Sequence, residues 1–417
     1  MIIKLLFNKA TLNSSIILII FNLSNFINLI TQIILSSALD LYYFSLYYSL
    51  VGIMSFIIIP ILNYGLILQK KFYELQKKIK YISSFFWQAN KNVIFLFILI
   101  FLLGITFLNQ LKDLLRYENN FAYIIFFFIS FISAITVIPI SLNNSLGFFK
   151  LNNSINLGVD IFKLVLILLL SNLYKFDFNI LINVHLALLI ILYFIYLNFS
   201  KKNIYISRSK NIKIDLNHSE KTNLMYVILY SFFIPFFYFL DIILVRNLFS
   251  EEVSSNYIVA SSISKIIFIF PQALNVVIFN ESLKLSMFKV LSILFFFILI
   301  ILSIMTLLFF MGEYAIEVIY SSKFNEAYKF LKFLLPSFFL TSLNKILCDI
   351  LISKKKFKFI FGLYLSFLLF IFLTYINSKT ALNISLNLLF ANIFFFSIVS
   401  FYIYKVYYKI LKTFLNL

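Results

Sequence analysis

Six ionisable side chains lie inside apolar segments that are long enough to span a membrane, and they are the residues best placed to do chemistry. They are Asp160, Lys163, Asp241, Lys265, Lys345 and Asp349. A charged side chain near the centre of a bilayer costs about 2.5–3.5 kcal/mol, so exposing all six to lipid would cost about 15–20 kcal/mol. Net protein stabilities are about 5–15 kcal/mol. We therefore expect most of the six to face water, an opposite charge or a ligand.

Four of these residues form two pairs at helical spacing. Asp160 and Lys163 are three residues apart, and Lys345 and Asp349 are four apart. Side chains at these spacings share a helix face, so each pair predicts a local ion pair that tolerates burial. A functional interpretation stays open for both. The lysines would attract an anionic substrate, and the aspartates would bind a coupling cation or proton.

Asp241 and Lys265 have no partner at such a spacing. They lie in consecutive apolar segments, towards the same end of each. One interpretation is that they pair with each other. The other is that Lys265 offers a cationic site to a phosphate, while Asp241 offers a site to a coupling cation or proton.

A stripe of amide side chains runs along the first apolar segment. Its members are Asn22, Asn25, Asn28 and Gln32, spaced three, three and four residues apart. This spacing places them on one helix face. Such a stripe either lines a water-filled cavity or bonds to a neighbouring helix, and we favour a cavity lining.

The positions of the apolar segments predict an all-α membrane protein. The chain is 62% hydrophobic and 12% charged, whereas soluble domains are about 45–50% apolar and about 25% charged. A spanning helix needs about 20 residues. The twelve predicted spans are 11–39, 41–68, 90–110, 121–149, 151–173, 179–200, 224–249, 254–282, 286–311, 328–353, 357–377 and 380–404.

Lysine and arginine alternate between the connections and so predict the orientation. The termini and connections on one side hold 24 of them, and those on the other side hold 8. The positive-inside rule then places both termini in the cytoplasm. We attribute the net charge of +19 to this bias and to contact with anionic membrane lipids, not to binding of nucleic acid.

The basic stretch 70–86 has two interpretations. Phe72, Leu75, Ile79, Ile82 and Phe86 recur at helical spacing between lysines. This pattern is typical of an amphipathic helix on the inner membrane surface, with Trp87 as its interfacial anchor. The alternative is a solvated basic loop.

A repeat of six spans and six spans is indicated by proline positions. Pro60 pairs with Pro271 in the second and eighth spans, and Pro139 pairs with Pro336 in the fourth and tenth. Proline interrupts helical bonding, so we expect these four to act as hinges. The motif Ser141-Leu142-Asn143 recurs as Ser342-Leu343-Asn344.

The repeat predicts a domain organisation. It divides the chain into an N-terminal six-helix bundle (1–200), a basic cytoplasmic linker (201–223) and a C-terminal six-helix bundle (224–417). Because six is even, we expect a pseudo-twofold axis along the membrane normal and a central cavity between the bundles.

Several motifs of enzymes are absent from the sequence. One cysteine, Cys348, excludes an intrachain disulfide. There is no P-loop for nucleotide hydrolysis, and His185 and His218 form no metal motif. The predicted outer connections are too short for a catalytic domain. The sequence therefore predicts no catalytic residue, no metal site and no cofactor.

Several local patterns resemble those of bacterial polysaccharide flippases, which belong to the multidrug/oligosaccharidyl-lipid/polysaccharide exporter superfamily. They are Leu39-Asp40 with Phe44-Ser45-Leu46-Tyr47; Tyr238 to Leu244 followed by Asn256-Tyr257, Lys265 and Pro271; and the turns Leu146 to Lys150 and Lys354 to Lys358. The resemblance covers nearly the whole chain.

The resemblance implies translocation of an undecaprenyl-pyrophosphate-linked oligosaccharide, a precursor of O-antigen, capsule or a related surface glycan, across the bacterial cytoplasmic membrane. Implied partners are this lipid-linked oligosaccharide and membrane lipids, with polysaccharide polymerase and chain-length proteins as further candidates. Lys265, Lys163 and Lys345 would then attract the pyrophosphate, and the amide stripe would bind sugar hydroxyls. Two alternatives remain. One is a cation- or proton-coupled multidrug or metabolite antiporter of the same superfamily, and the other is a membrane polymerase or ligase of lipid-linked glycans.

Overall fold

The computed structural model describes residues 9–75, 79–173, 177–203, 218–284, 287–320, 322–354 and 356–414. Every regular element in these ranges is a helix, so the predicted all-α class is confirmed. The chain forms two compact units, Met1–Phe232 and Phe233–Leu417.

In the described ranges the first unit contains seven helices and most of an eighth. They are α1 (Lys9–Ala38), α2 (Leu41–Leu75), α3 (Ile79–Thr106), α4 (Leu108–Leu115), α5 (Asn120–Ser145), α6 (Phe149–Leu173), α7 (Phe178–Asn203) and α8 (His218–Pro235). Within this unit α5 packs against α2 and α7, and α1 packs against α6.

The second unit begins with the end of α8 and a π-helical turn, Phe236–Leu240. Its further helices are α9 (Asp241–Leu248), α10 (Glu251–Lys284), α11 (Met287–Tyr320), α12 (Ala327–Ser353), α13 (Phe359–Ile376) and α14 (Ala381–Phe414), with a 3₁₀ turn at Ser322–Phe324. Within this unit α12 packs against α10 and α14.

The chain is a multi-pass membrane protein. In the described ranges, eleven helical stretches are long and apolar enough to cross a membrane. They match eleven of the twelve predicted spans. The remaining one, 254–282, lies within the 34-residue helix α10.

The two units repeat one packing pattern. The fourth span of each half is central and contacts the second and sixth spans of its own half. In the first half α5 contacts α2 and α7, and in the second half α12 contacts α10 and α14. The repeated tripeptide has the same place in both. Asn143 Oδ1 accepts a hydrogen bond from Ser200 Oγ of α7 at 2.9 Å, and Asn344 Nδ2 donates to the Asn392 carbonyl of α14 at 3.2 Å.

Both interpretations of residues 70–86 are wrong. Phe72 belongs to the end of α2, and Ile82 and Phe86 to the start of α3. All three are buried in one cluster with Val137 and Ile138 of α5. The stretch therefore extends two spanning helices, because its aromatic residues pack against α5. Residues 76–78, where the two helices are connected, lie outside the described ranges.

The seventh predicted span, 224–249, is a continuous helical stretch up to residue 248 that contains a π-helical turn. Helix α8 ends at Pro235, the π-helical turn follows, and α9 begins at Asp241. The border between the compact units falls at Phe232, inside α8. Ser231 accepts a hydrogen bond from Asn63 Nδ2 of α2 at 2.6 Å, which ties this part of α8 to the first unit. Most of the predicted linker, 204–217, lies outside the described ranges.

The contact between α2 and α5 depends on a glycine, and this gives a prediction on stability. A Cβ atom at Gly65 would lie 2.4 Å from Val137 Cγ1 and 2.9 Å from Ser141 Oγ. Because valine is stiff within a helix, we expect Gly65→Ala to cost about 1–3 kcal/mol. The change is measured as a lower apparent Tm of the purified full-length protein in detergent.

The matched control for Gly65→Ala is Gly158→Ala in α6. A Cβ at Gly158 would meet nothing within 4 Å. Since alanine is the better helix former by about 1 kcal/mol, this variant should be as stable as the natural protein or more so. Equal stability of both variants would show that α2 and α5 do not pack this closely.

Candidate functional site

The first unit contains a polar cluster around Asp160, in the middle of α6. The carboxylate of Asp160 accepts hydrogen bonds from Ser24 Oγ and from the side chain of Asn28, both on α1. Asn28 Nδ2 also donates to the Ser24 carbonyl at 3.1 Å. The amide stripe of α1 therefore faces α6 near Asp160. Asn28 bonds to this neighbouring helix, whereas the sequence favoured a cavity lining for the stripe.

The polar face of α6 continues towards the predicted cytoplasmic end. The hydroxyl of Tyr196 on α7 is within hydrogen-bond distance of two acceptors on α6, Asn156 Oδ1 at 2.7 Å and the Asn152 carbonyl at 2.8 Å. Asn152 Nδ2 donates to Asn144 Oδ1 of α5 at 2.7 Å. Asn152, Asn156 and Asp160 are spaced four residues apart, so they form one polar face of α6.

The other members of the amide stripe have different surroundings. Gln32 is buried, while Asn22 and Asn25 are half-buried. Asn22 Oδ1 and Asn25 Nδ2 are buried atoms without a hydrogen-bond partner within the protein. Buried polar atoms of this kind are rare and call for water or a ligand. They are consistent with the predicted cavity lining, which stays a prediction.

In the second unit Asp241 is the first residue of α9 and follows the π-helical turn. Its side chain is completely buried, and its Oδ2 accepts a hydrogen bond from the hydroxyl of Tyr257 on α10 at 3.0 Å. The charges of Asp241 and Lys265 act on each other, although no ion pair within 4.0 Å joins these two described residues. They are therefore neighbours without direct contact.

Lys265 is held by aromatic rings. Its Nζ lies 4.6 Å from the ring centroid of Phe239 and 5.3 Å from that of Phe338. Both distances suit a cation–π interaction, worth about 0.5–2 kcal/mol. Among the described residues no carboxylate forms an ion pair with Lys265. The ammonium group thus keeps its capacity to bind a further anion.

Neither of the two predicted local ion pairs forms. Lys163 acts electrostatically on Asp160, and Lys345 on Asp349, but neither pair is joined within 4.0 Å, and all four residues are described. For Asp160 the physical reason is clear, because Ser24 and Asn28 bind the carboxylate instead. Lys345 and Asp349 are half-buried on α12.

The predicted hinge prolines all lie inside long helices. Pro60 is in α2, Pro139 in α5, Pro271 in α10 and Pro336 in α12. The side chain of Pro271 is outside the described part of the chain. A π-helical turn follows Pro235, the one proline without a partner in the sequence repeat. The hinge role of the other four stays a prediction.

Sequence reasoning missed the partners of the ionisable residues. Ser24, Tyr257, Phe239 and Phe338 contact Asp160, Asp241 or Lys265 from another part of the fold. His185, which looks isolated in the sequence, lies 3.2 Å from the Tyr47 hydroxyl. Two of these partners had a signal in the sequence. Ser24 lies one helical turn before Asn28, and Tyr257 belongs to the pattern with Asp241 and Lys265 that carries the resemblance.

No protein-family model and no curated protein sequence matches the chain. Solved structures do match. A structure of the lipid II flippase MurJ in an inward closed conformation has a TM-score of 0.67 at 14% identity and covers 91% of this chain and 85% of its own. A variant of the Vibrio cholerae MATE transporter VcmN has a TM-score of 0.69 at 13% identity, covering 96% of both chains.

A third solved structure, an inward-facing multidrug resistance MATE family transporter of the MOP superfamily, has a TM-score of 0.63 at 9% identity and covers 91% of this chain and 93% of its own. At such low identities the likeness concerns the fold. The two compact helical units, each with its fourth span at the centre, therefore have the fold shared by MurJ and the MATE transporters.

Proposed function

We propose that this protein is a flippase that moves an undecaprenyl-pyrophosphate-linked oligosaccharide, a precursor of O-antigen, capsule or a related surface glycan, across the bacterial cytoplasmic membrane. The observation that carries the proposal is Lys265. This lysine lies in α10, within the predicted eighth span, next to aromatic rings and without an ion pair among the described residues. A cation held in this way suits the pyrophosphate of a lipid-linked substrate. The fold shared with the lipid II flippase MurJ supports it.

The other polar side chains have complementary roles in this proposal. A sugar–pyrophosphate head cannot cross about 30 Å of hydrocarbon unaided. Lys163 and Lys345 assist Lys265 in attracting the pyrophosphate, while Asn22, Asn25, Asn28 and Gln32 bind sugar hydroxyls. The polyprenyl tail remains in the lipid.

Movement of the substrate requires alternating access. The two compact units are the bodies that would rock, about the predicted axis along the membrane normal and around the predicted central cavity. Kinks at Pro60, Pro139, Pro271 and Pro336 would accommodate the motion. The π-helical turn after Pro235 would be a further point of bending.

Three carboxylates are candidates for coupling to a cation or proton: Asp160, Asp241 and Asp349. Asp241 is fully buried beside Tyr257, and Asp349 lies close to Lys345 on its own helix. Asp160 is half-buried and surrounded by hydroxyl and amide groups. Oxygen donors around an accessible carboxylate suit a small cation, so we favour Asp160.

The second candidate function is a cation- or proton-coupled antiporter of drugs or metabolites. The likeness to MATE transporters favours it, as do three aspartates within the spans, because organic cations bind carboxylates. The two candidates differ in the charge of the substrate. Under either, both termini are placed in the cytoplasm, following the lysine bias.

The function is tested with the purified protein in proteoliposomes. We expect it to move a fluorescent undecaprenyl-pyrophosphate-linked oligosaccharide between leaflets at least tenfold faster than protein-free liposomes do, because a pyrophosphate crosses lipid extremely slowly. In a deletion strain, lipid-linked repeat units should accumulate facing the cytoplasm.

The control substrate in the same liposomes is ethidium, an organic cation. Transport of ethidium with no movement of the lipid-linked oligosaccharide would replace the flippase by the antiporter. Movement of neither substrate would remove both proposals.

A further inference from the structure

Four aromatic residues meet at one end of the first unit, where the chain passes between α1 and α2, between α4 and α5, and into α7. Tyr43 stacks on Phe178 with ring centroids 5.4 Å apart, and Tyr42 meets Tyr43 edge-on at 5.2 Å. Tyr117 contacts Tyr42 at 6.2 Å and Phe178 at 5.7 Å. We refer to Tyr42, Tyr43, Tyr117 and Phe178 as the outer aromatic cluster, because the lysine bias places these connections outside the cytoplasm.

The cluster is held rigidly by bonds to the backbone. The Tyr42 hydroxyl donates to the Arg116 carbonyl at 2.6 Å, and the Tyr123 hydroxyl donates to the Tyr117 carbonyl at 3.0 Å. Arg116 has a φ of 53° and ends α4 in the left-handed conformation, so the chain turns sharply into the cluster. Rings fixed before a ligand arrives lose little conformational entropy on binding.

Amide and carboxylate groups surround the cluster. Asn119 hydrogen-bonds the hydroxyl of Tyr117, and burial raises the pKa of this phenol. Asn179 Nδ2 donates to Asp177 Oδ2 at 3.2 Å. Asn179 Oδ1 is a buried atom without a hydrogen-bond partner within the protein, directly after Phe178. Asp177, the partner of Asn179, acts electrostatically on Tyr117, so a carboxylate and two amides lie near this half-buried ring.

This combination matches the chemistry of a sugar ring. A pyranose presents apolar C–H groups on its faces, which pack on an aromatic ring. Its hydroxyls act as both donors and acceptors, and they pair with amides, carboxylates and phenols. Tyr42 and Tyr117 are half-buried, so part of each ring is accessible. Packing accounts for the stacked rings, whereas the accessible edges of Tyr42 and Tyr117, with Asn119 and Asp177 beside Tyr117, offer a sugar both a ring and polar partners.

We propose that the outer aromatic cluster and Asn179 form a glycan-binding subsite, which receives pyranose rings of the oligosaccharide on the outer side of the membrane. The inference rests on the proposed function for the source of the glycan. Glycan binding is measured without any transport, so a negative result can contradict the subsite without contradicting the proposed function, and the reverse.

The test uses the full-length protein in lipid nanodiscs and saturation-transfer NMR with three neutral trisaccharides: maltotriose, chitotriose and mannotriose. We expect saturable binding of at least one, with transfer strongest to the C–H protons of a sugar ring. Tyr117→Leu removes the ring face and should weaken binding about fivefold to tenfold. Tyr117→Phe keeps the ring and should stay within about twofold of the natural protein.

The matched control is Tyr375→Leu, which removes a tyrosine that is 86% exposed near the end of α13. It should bind like the natural protein. A second variant, Asn179→Leu, checks the amide independently of the rings and should also weaken binding. Absence of saturable binding of all three trisaccharides, or equal binding by Tyr117→Leu and the natural protein, would overturn the subsite. Trisaccharide binding without flipping would refute only the proposed function. Flipping without trisaccharide binding would refute only the subsite.

Discussion

Replacing Lys265 with alanine is expected to reduce flipping of the lipid-linked oligosaccharide about 10- to 100-fold. A hydrogen bond between charged groups is worth about 1.5–3 kcal/mol, which corresponds to this range. Lys265 lies between Phe239 and Phe338, so the ammonium group is positioned before the pyrophosphate arrives. The rate is measured in proteoliposomes, with protein amounts matched by immunoblot.

Loss of Lys265 also leaves Asp241 without its neighbouring positive charge, which could disturb folding rather than binding. Lys265→Arg separates the two effects, because it preserves the charge and should retain at least about a third of the rate. The double variant Lys265→Ala with Asp241→Ala removes both charges and should fold but not flip.

The control for Lys265→Ala is Lys332→Ala. Lys332 also lies over an aromatic ring, at 4.4 Å from the ring centroid of Tyr328, but its side chain is exposed on α12. Its loss should leave flipping unchanged. Full activity of Lys265→Ala at natural protein levels would exclude this lysine from the mechanism.

The second large effect is expected for Asp160→Asn. Asparagine can still accept a hydrogen bond from Ser24, so the contact between α1 and α6 persists while the charge is lost. We expect an imposed sodium or proton gradient to accelerate the natural protein severalfold, and to leave Asp160→Asn unaffected. Flipping is followed in proteoliposomes with and without each gradient, at constant ionic strength.

Asp40→Asn provides the comparison for this experiment. Asp40 is exposed in the connection between α1 and α2, so its neutralisation should preserve any response to a gradient. If Asp160→Asn responds like the natural protein, coupling belongs to Asp241 or Asp349. If no gradient accelerates the natural protein, direction must come from removal of the product outside.

Much of this fold can be predicted from the sequence because spanning helices are long and apolar. The lysine bias of the connections and the length of the apolar segments are properties of many residues together. A single exceptional residue therefore does not change the predicted spans or their orientation. The errors arise where basic residues alternate with buried aromatic ones. Phe72 and Phe86 are fully buried against α5, yet the intervening lysines make the segment look like a surface helix.

The site was only partly predictable for a related reason. The cost of a charge in lipid identifies Asp160, Asp241 and Lys265 one at a time, without reference to the rest of the fold. Their partners come from other helices, and one sequence does not state which helices touch. Similarly, Pro235 is visible in the sequence, but the π-helical turn after it depends on how Phe236–Leu240 packs.

The border between the compact units has a practical consequence for dividing the gene. Expressing the protein as two fragments cut in the connection 204–217 would separate residues 218–232 from the unit to which they belong. The N-terminal fragment would lack Ser231, the hydrogen-bond partner of Asn63. The C-terminal fragment would carry residues 218–232 without the helices of the first unit against which they pack. Reconstitution from such fragments should therefore require their co-expression in the same membrane. Neither fragment should accumulate when it is expressed alone.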